Sequence, residues 1–592
     1  MFEGPAAALC LLLSVSMILN TQMGGEGVWF WYATFFRNGS HIYADLHLPL
    51  QPLMILETSA WMRLFGTKCW QVELLGLLNA VALWMALGWM LRFSPWPRGT
   101  RAALHAVAFC ITVVGNSYRF DDYHVVSETC ILAGIATLLE LQRAESTRAI
   151  FGFAALCGFF SGLSLMTRLN DGTAMTATAA FCVLVVAKRH RLPAALVLLG
   201  AAAATALIVV ALTGDTVPAW MSNSMVHAVA TKGGTGNFAK SPFILLWRCC
   251  EQMYFRLGIL ASAVFATWGT RWAARRWSLG TWFLVCSRVG LLLPCIFLCT
   301  DDFSERAIRG RLLDTALLVG IYATYLLGGL VLLRLAGFCR TRVPWNPLEI
   351  LLLIPLAQWA SSSASSSGDP LMQYYCPVAM LVLLLAVVVP SARVPVAVRE
   401  EVFAWAICLV VFACVNKAWV PYSWQNWVYK PMYTDRTWYR HPVRGPLYID
   451  RRVLAFSESS CAFVNAGHWG SPQTTLLALP YPYPNYFCAI PPWHGYIQTY
   501  FDTTQRSVVE RLIGELKQRP PDWIIYQRQM LILGGAEGLY NHGQPLAQRD
   551  LDTLIMDKIR LGQWKLVAMQ NDAPGDGWYF PGDGWYVVQT HP

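Results

Sequence analysis

Residues Gly24 to Leu53 read "GGEGVWFWYATFFRNGSHIYADLHLPLQPL", immediately after a short apolar N-terminal run. A lone acid, Glu26, stands where the chain has only just left the apolar stretch, and apolar residues follow it at helical spacing as far as Phe36. The irregular "RNGSHIYADLHLPLQP" comes next, then a second amphipathic segment from about Leu53 to Phe65. A loop this long, with helices of its own, is more than a connector. The spacing predicts two helices lying at a membrane interface, holding Glu26 near the mouth of a cavity bordered by the bilayer. Glu26 alone has an ordinary explanation too, because acids favour the first turn of a helix.

The rest of the chain supplies the membrane. Of its 592 residues 55% are hydrophobic and only 14% charged, with 26 Trp and a mean hydropathy of +0.41, which leaves too little polar surface for a soluble protein. A spanning helix needs roughly 20 mostly apolar residues. Candidate spans are Pro5–Leu19, Leu74–Leu91, Ala102–Ser117, Val126–Leu141, Ile150–Met166, Thr173–Ala187, Pro193–Leu212, Tyr254–Trp268, Leu279–Cys299, Leu312–Leu333, Leu348–Trp359, Leu371–Val389 and Val402–Trp419. The expected fold class is therefore a polytopic α-helical membrane protein with about 13 spans.

Lys and Arg set the orientation, since short cytoplasmic loops hold the excess. With the N-terminus cytoplasmic, "RFSPWPRGTR", "QRAESTR", "KRHR", "RWAARRW", "RLAGFCRTR" and "SARVPVAVRE" all fall inside. The opposite loops are longer or richer in acids and aromatics, with "TDDFSERAIRGR" as an exception. An odd number of spans then exports the remainder. The expected organisation is a transmembrane domain over 1–419, whose first outer loop 20–70 carries the interfacial helices, and an extracytoplasmic domain over 420–592, in a multi-pass plasma (inner) membrane protein. The net charge of +10 is explained by this topology and by anionic membrane lipid, so nucleic acid is not an expected partner. Glu3 replaces the basic start of a secretory signal, so the first helix is expected to remain uncleaved.

Proline, Tyr, Asn and Gly dominate "LPYPYPNYFCAIPPWHGYIQTYFDTT" in the exported part. "RSVVERLIGELKQ" then reads as an amphipathic helix, and "DWIIYQ" and "WYVVQT" as strands, giving a small α/β domain. Its "LPYPYPNY" segment is expected to offer rigid aromatic surface to sugar faces. Among 17 Cys there is no zinc-type spacing, and only Cys461 and Cys488 lie in the exported part, where they could pair.

Two further outer segments carry ionisable groups. "NSYRFDDYHVVSE" places Arg119, Asp121, Asp122 and His124 together, and "LMTRLNDG" contributes Arg168, Asn170 and Asp171. Such residues at a membrane boundary are expensive unless they meet water, partners or substrate, so with Glu26 they suggest one shared polar cavity. Each also has a local reading, as an Arg–carboxylate pair capping helices or as a turn. Asp121, Asp122 and His124 include hard metal ligands, but adjacent Asp residues of a regular element point to different faces. No metal or other cofactor is expected to be obligatory, although a divalent cation remains an option.

These residues resemble the first outer loop of the type-C (GT-C) glycosyltransferases, in particular the protein O-mannosyltransferase and lipid A aminoarabinose transferase group. Gly39, Tyr43, Asp45, Pro49 and Pro52 match that group's "G-x-x-x-Y-x-D-x-x-x-P" stretch, and "GFFSGLSLMTRLNDG" is similar to its fifth-helix segment. The likeness covers about the first third of the chain, and Gly25-Glu26 stands where the family usually has Asp-Glu. It implies a sugar donor linked to polyprenyl phosphate and a glycan, lipid or protein acceptor met at the outer face. An acceptor hydroxyl would attack the anomeric carbon, so a carboxylate must take its proton and a cation must hold the departing phosphate. The candidate carboxylates are Glu26, Asp45, Asp121 and Asp122; the candidate cations are Arg168 and Arg119. Tyr43, His47, His124, Asn170 and Asp171 are expected to line the cavity, and the rings of "VWFWY" to stack on sugar or prenyl chain unless they only populate the interface. Two other classes share such a cavity: a transporter or flippase of lipid-linked sugars, and a non-enzymatic envelope scaffold or sensor.

Overall fold

The computed structural model describes residues 3–18, 26–115, 123–231, 253–278, 280, 282–290, 347–365, 395–419, 436–465, 474–501, 503–528, 530–570 and 584–591. Of the candidate spans, Leu312–Leu333 and Leu371–Val389 and most of Leu279–Cys299 lie outside these residues. Among the described residues, five helices are long and apolar enough to cross a membrane: Cys69–Leu91, Tyr123–Arg143, Thr147–Thr167, Leu169–Val186 and Arg191–Leu212.

By internal packing the chain divides into two compact units, one of Met1–Met17, Leu78–Ala206 and Lys240–Pro421, the other of Ile18–Leu77, Leu207–Ala239 and Tyr422–Pro592. The first loop thus groups with the C-terminal tail, a partition that the apolar pattern does not reveal.

The first unit is helical. Its elements are α1 (Glu3–Ile18), most of α4 (Cys69–Leu91), α5 (Arg98–Gly115), α6 (Tyr123–Arg143), α7 (Thr147–Thr167), α8 (Leu169–Val186), most of α9 (Arg191–Leu212), α10 (Met253–Arg276), α11 (Leu353–Ser365) and α12 (Val396–Trp419). Ser146 starts α7 by accepting the Ala149 N–H at 3.2 Å, which satisfies an otherwise orphaned donor. Helices α6, α7 and α8 pack on one another, α8 packs on α11, and α5 on α12. Where every surface is apolar, close backbone approach drives helix association. Gly158 and Gly162 lie one turn apart on α7, where an added Cβ would stand 2.2 Å from the Leu198 carbonyl oxygen and 2.6 Å from Thr205 Cβ of α9. A hydroxyl pair, Ser127 and Ser164 at 3.0 Å, ties α6 to α7.

In the second unit, α2 (Glu26–Arg37) and α3 (Leu53–Phe65) pack together, and both are where helical spacing put them. The tail opens with an antiparallel hairpin, β1 (Arg436–His441) and β2 (Gly445–Asp450), followed by α13 (Arg451–Asn465). A four-stranded sheet follows in the order β3 (Leu476–Leu479), β4 (Trp523–Gln527), β6 (Trp585–Gln589), β5 (Lys565–Gln570), with β3 and β4 parallel and the other pairs antiparallel. Between the strands run α14 (Tyr483–Cys488), α15 (Arg506–Gln518), α16 (Met530–Tyr540) and α17 (Ala547–Arg560). Alternation decides the core: Leu477, Leu479, Ile524 and Val588 meet Val509, Leu512 and Leu516 of α15 and Leu551 and Ile555 of α17. Cys461 and Cys488 form a disulfide joining α13 to α14.

The turn of the β1–β2 hairpin is organised by one imidazole. His441 Nδ1 accepts the backbone N–H groups of Val443 and Arg444 at 3.1 and 2.9 Å, and Nε2 lies 2.7 Å from the Phe487 carbonyl oxygen, to which it donates. Burial pushes this imidazole down to about 4, so it stays neutral in that role. The aromatic segment is a correction to the expectation above: Tyr481, Tyr483 and Tyr486 of "LPYPYPNY" are at most 8% exposed and belong to the interior, because the disulfide and α14 fold them inward.

The glycine contact on α7 has a direct test. Gly158→Val forces a side chain against a backbone carbonyl and is expected to cost about 1–3 kcal/mol, read as a lower Tm of the purified protein; an unchanged Tm would mean that α7 and α9 do not approach closely there.

Candidate functional site

Within the second unit the first loop and the tail border a shallow, solvent-open recess. Helix α2 brings Tyr32 to it, the irregular loop brings Asp45 and His47, the segment before α15 brings His494 and Tyr496, and α15 itself brings Arg511. The loop holds its shape through backbone groups. Gly39 sits at φ 98° and His47 at φ 49°, the second a conformation that is costly for a residue with a side chain and that tends to persist at functional positions. Asp215 pins the loop from a distant part of the sequence: its carboxylate accepts the N–H groups of Tyr43 at 3.2 Å and Ala44 at 3.1 Å. The same segment bonds both to the first loop and to the tail, with Trp220 Nε1 donating to Gln51 at 2.8 Å and Asn223 accepting from Gln505 at 2.6 Å.

The polar groups form a chain. Arg511 Nη1 donates to His47 Nε2 at 3.0 Å, and Arg511 Nε donates to the Tyr496 hydroxyl at 3.1 Å. The Tyr496 hydroxyl donates to Glu515 at 2.9 Å, and the other oxygen of Glu515 lies 2.8 Å from His494 Nδ1. Burial, then the neighbouring guanidinium, lowers the His47 pKa, so the imidazole is a neutral acceptor. Burial pushes the Tyr496 phenol up to about 12, which keeps it a donor. At the rim, exposed Asp45 accepts the His41 N–H at 2.7 Å. An acceptor-only carboxylate, a neutral imidazole and a guanidinium in one recess can bind hydroxyls, move a proton and hold an anionic oxygen.

The other expected residues are placed as follows. Glu26 opens α2, and its side chain lies outside the described residues, as do Arg119, Asp121 and Asp122. Tyr43 is fully buried and gives its hydroxyl to the Leu50 carbonyl at 3.0 Å, so it fixes the loop rather than lining the recess. The rings of Phe30, Trp31 and Tyr32 are also buried. Arg168, Asn170 and Asp171 belong to the first unit. Arg168 interrupts the helix between α7 and α8 in an extended conformation, and its Nη1 donates to Asp171 at 2.9 Å and to Ser362 of α11 at 3.1 Å. Ser362 in turn donates to Asp171 at 2.6 Å, and Ser361 to the Asn170 carbonyl at 2.9 Å. His124 is buried beside the Tyr123 ring on α6. In the same unit buried Glu128 accepts from Gln358 of α11 at 2.9 Å and feels the charges of Asp171 and Arg168. Among the described residues no three His, Cys, Asp or Glu side chains are grouped to hold a metal ion.

Sequence reasoning had assigned no role to Arg511, His494, Glu515, Asp215 or Glu128. Arg511 and Glu515 lie one turn apart on the amphipathic helix "RSVVERLIGELKQ", at the spacing of an ordinary i, i+4 charge pair. Asp215 and Glu128 meet partners 172 and 230 residues away, a separation with no local signature.

No family model matches the chain, and no curated protein does. Among solved structures it is similar to ArnT from Cupriavidus metallidurans in the apo state, with 12% identity and a TM-score of 0.42 over 100% of this chain and 97% of that one. The same enzyme bound to undecaprenyl phosphate gives 12% and 0.41 over 100% and 97%. An Archaeoglobus fulgidus oligosaccharyltransferase in complex with zinc and sulfate gives 13% and 0.43 over 93% and 70%. These are GT-C enzymes, the family that the first loop resembles. Likeness at this level leaves the chemistry to be read from the side chains.

The Arg168 network makes a prediction of its own. Arg168→Ala leaves the Asp171 carboxylate buried without its cation, and removing one member of a buried pair costs about 3–5 kcal/mol. The variant is expected to lose thermal stability and folded yield; wild-type stability would return Arg168 to the role of a free phosphate clamp.

Proposed function

We propose that this protein is a membrane glycosyltransferase, a hexosyl- or pentosyltransferase that moves a sugar from a polyprenyl-phosphate donor to a glycan, lipid or protein acceptor at the outer face of a plasma (inner) membrane. The observation that carries the reading is the recess itself. It joins Asp45 and His47, from the loop stretch that resembles the GT-C pattern, to Arg511, Tyr496 and His494 of the tail. The tail's disulfide agrees with an oxidising compartment, where such bonds persist.

In the proposed reaction an acceptor hydroxyl attacks the anomeric carbon while a carboxylate takes its proton. The bond between that carbon and the phosphate oxygen breaks, its electron pair stays with the phosphate, and a cation stabilises the charge. Glu26, at the first residue of α2, is assigned as the base. Asp45, already accepting the His41 N–H, orients the acceptor. Asp121 and Asp122 are held in reserve for the same task. Arg119 and Arg511 are the cations assigned to the phosphate, while Arg168, paired with Asp171, holds the helix break between α7 and α8. No metal is required by this scheme.

The base assignment is tested by turnover with a saturating lipid-linked donor. Glu26→Gln is expected to lose about 100- to 10,000-fold, the usual worth of a positioned base, and Asp45→Asn less than about tenfold. The reverse order of losses would move the base to Asp45, and wild-type turnover in both variants would contradict the scheme.

A further inference from the structure

The first loop meets the tail through a bond that tolerates only one protonation state. Arg511 Nη1 of α15 lies 3.0 Å from His47 Nε2. A guanidinium has donors and no acceptor, so Nε2 must offer its lone pair and the neutral imidazole carries its proton on Nδ1. With both nitrogens protonated, His47 has nothing to accept with and sets a second positive charge against Arg511, so the attraction becomes repulsion.

The surroundings reinforce the neutral form. His47 is half-buried. Burial, then the Arg511 charge, lowers its pKa, while Asp45 opposes the shift and His227 adds to it. Tyr32 and Tyr496, which also line the recess, carry no charge in acid. His494 lies 2.8 Å from Glu515, so its protonation strengthens a contact inside the tail. The joined form favours neutral His47; its stabilisation is therefore complete above the ordinary imidazole value of about 6.5 and is lost as pH falls through the lowered one.

The bond acts on one end of the loop. Leu46 and Leu48, on either side of His47, are buried, and their N–H groups donate to the His41 and Ile42 carbonyls at 3.2 Å each. Leu46 also faces the tail, since a Cβ added to Gly495 would stand 3.4 Å from its Cδ2. Tyr43 and Ala44 are held separately, by the Asp215 carboxylate. Losing Arg511 thus frees the stretch that follows Ala44, with Asp45 on it, while the loop stays anchored behind.

We propose that the Arg511–His47 bond is a pH-sensitive latch, which closes the end of the first loop on α15 near neutrality and releases it, with Asp45, in acid. As regulation of sugar transfer the latch rests on the transferase reading; as a contact it needs no substrate, so its test reads structure without turnover. The full chain in nanodiscs is followed by hydrogen-exchange mass spectrometry from about pH 7.5 to about pH 5, the range in which an imidazole titrates, with rates normalised to the intrinsic rate at each pH. In the wild type, normalised exchange of peptides spanning 44–49 is expected to rise about tenfold as pH falls, within the limit that one linked proton sets. His47→Gln, whose amide oxygen accepts from Arg511 at any pH, is expected to stay protected throughout, and Arg511→Met to exchange fast throughout, both with a wild-type Tm at pH 7.5. His494→Gln should keep the wild-type response. A flat wild-type profile, a wild-type response in folded His47→Gln or Arg511→Met, or loss of the response in His494→Gln would overturn the latch and leave the transferase reading standing.

Discussion

The second unit depends on one buried cation. Arg444, 5% exposed in the turn after β1, lies 4.3 Å from the Phe30 ring, 4.5 Å from Tyr486 and 5.6 Å from Trp31, and its Nε donates to the Tyr486 carbonyl at 2.9 Å. Its own carbonyl accepts the Cys69 N–H at 2.9 Å. A guanidinium out of water needs compensation, and three ring faces with a carbonyl provide it. The consequence is positional. Phe30 and Trp31 come from α2, Tyr486 from α14, and Cys69 begins α4, so one side chain fixes the first loop against the tail. His441 holds the turn that presents it, and Gly27 allows the approach, since a Cβ there would meet Pro482 at 3.1 Å. The same two segments, the first loop and the tail, line the recess that holds Asp45, His47 and Arg511.

This explains why the aromatic run "VWFWY" was legible as important but not in kind. Its composition suits both a sugar platform and an interface belt; the buried rings instead clamp an arginine more than 400 positions away in the sequence. Local pattern performed well where periodicity sufficed. The amphipathic segment at 506–518 is α15, "DWIIYQ" contains β4 and "WYVVQT" contains β6, because burial of one face imposes a repeat on the sequence. Cysteine scarcity in the tail left Cys461 and Cys488 as partners, and they are bonded. The site was legible by halves. Asp45 and His47 came from a recognisable stretch, but Arg511 hid in an ordinary helical charge pair. Arg168 read as a clamp because topology disfavours it, whereas Asp171, three residues on, already neutralises it.

Each unit links its charged groups into an internal network, and the two do so differently. In the first unit Arg168, Asp171 and Ser362 close a compact triad at a helix break, which favours rigidity. In the second the chain from His47 through Arg511, Tyr496 and Glu515 to His494 runs along an accessible recess and keeps an exposed carboxylate at its rim.

A flippase could use a similar recess, but the two activities leave different products. The most direct measurement reconstitutes the purified chain in liposomes with a polyprenyl-phosphate donor labelled in its sugar, with and without acceptor, and follows the label and the lipid separately. The transferase account predicts that label leaves the lipid only when acceptor is present, with free polyprenyl phosphate formed in equal amount. Label that stays on the polyprenyl phosphate while the intact donor passes between leaflets would contradict it.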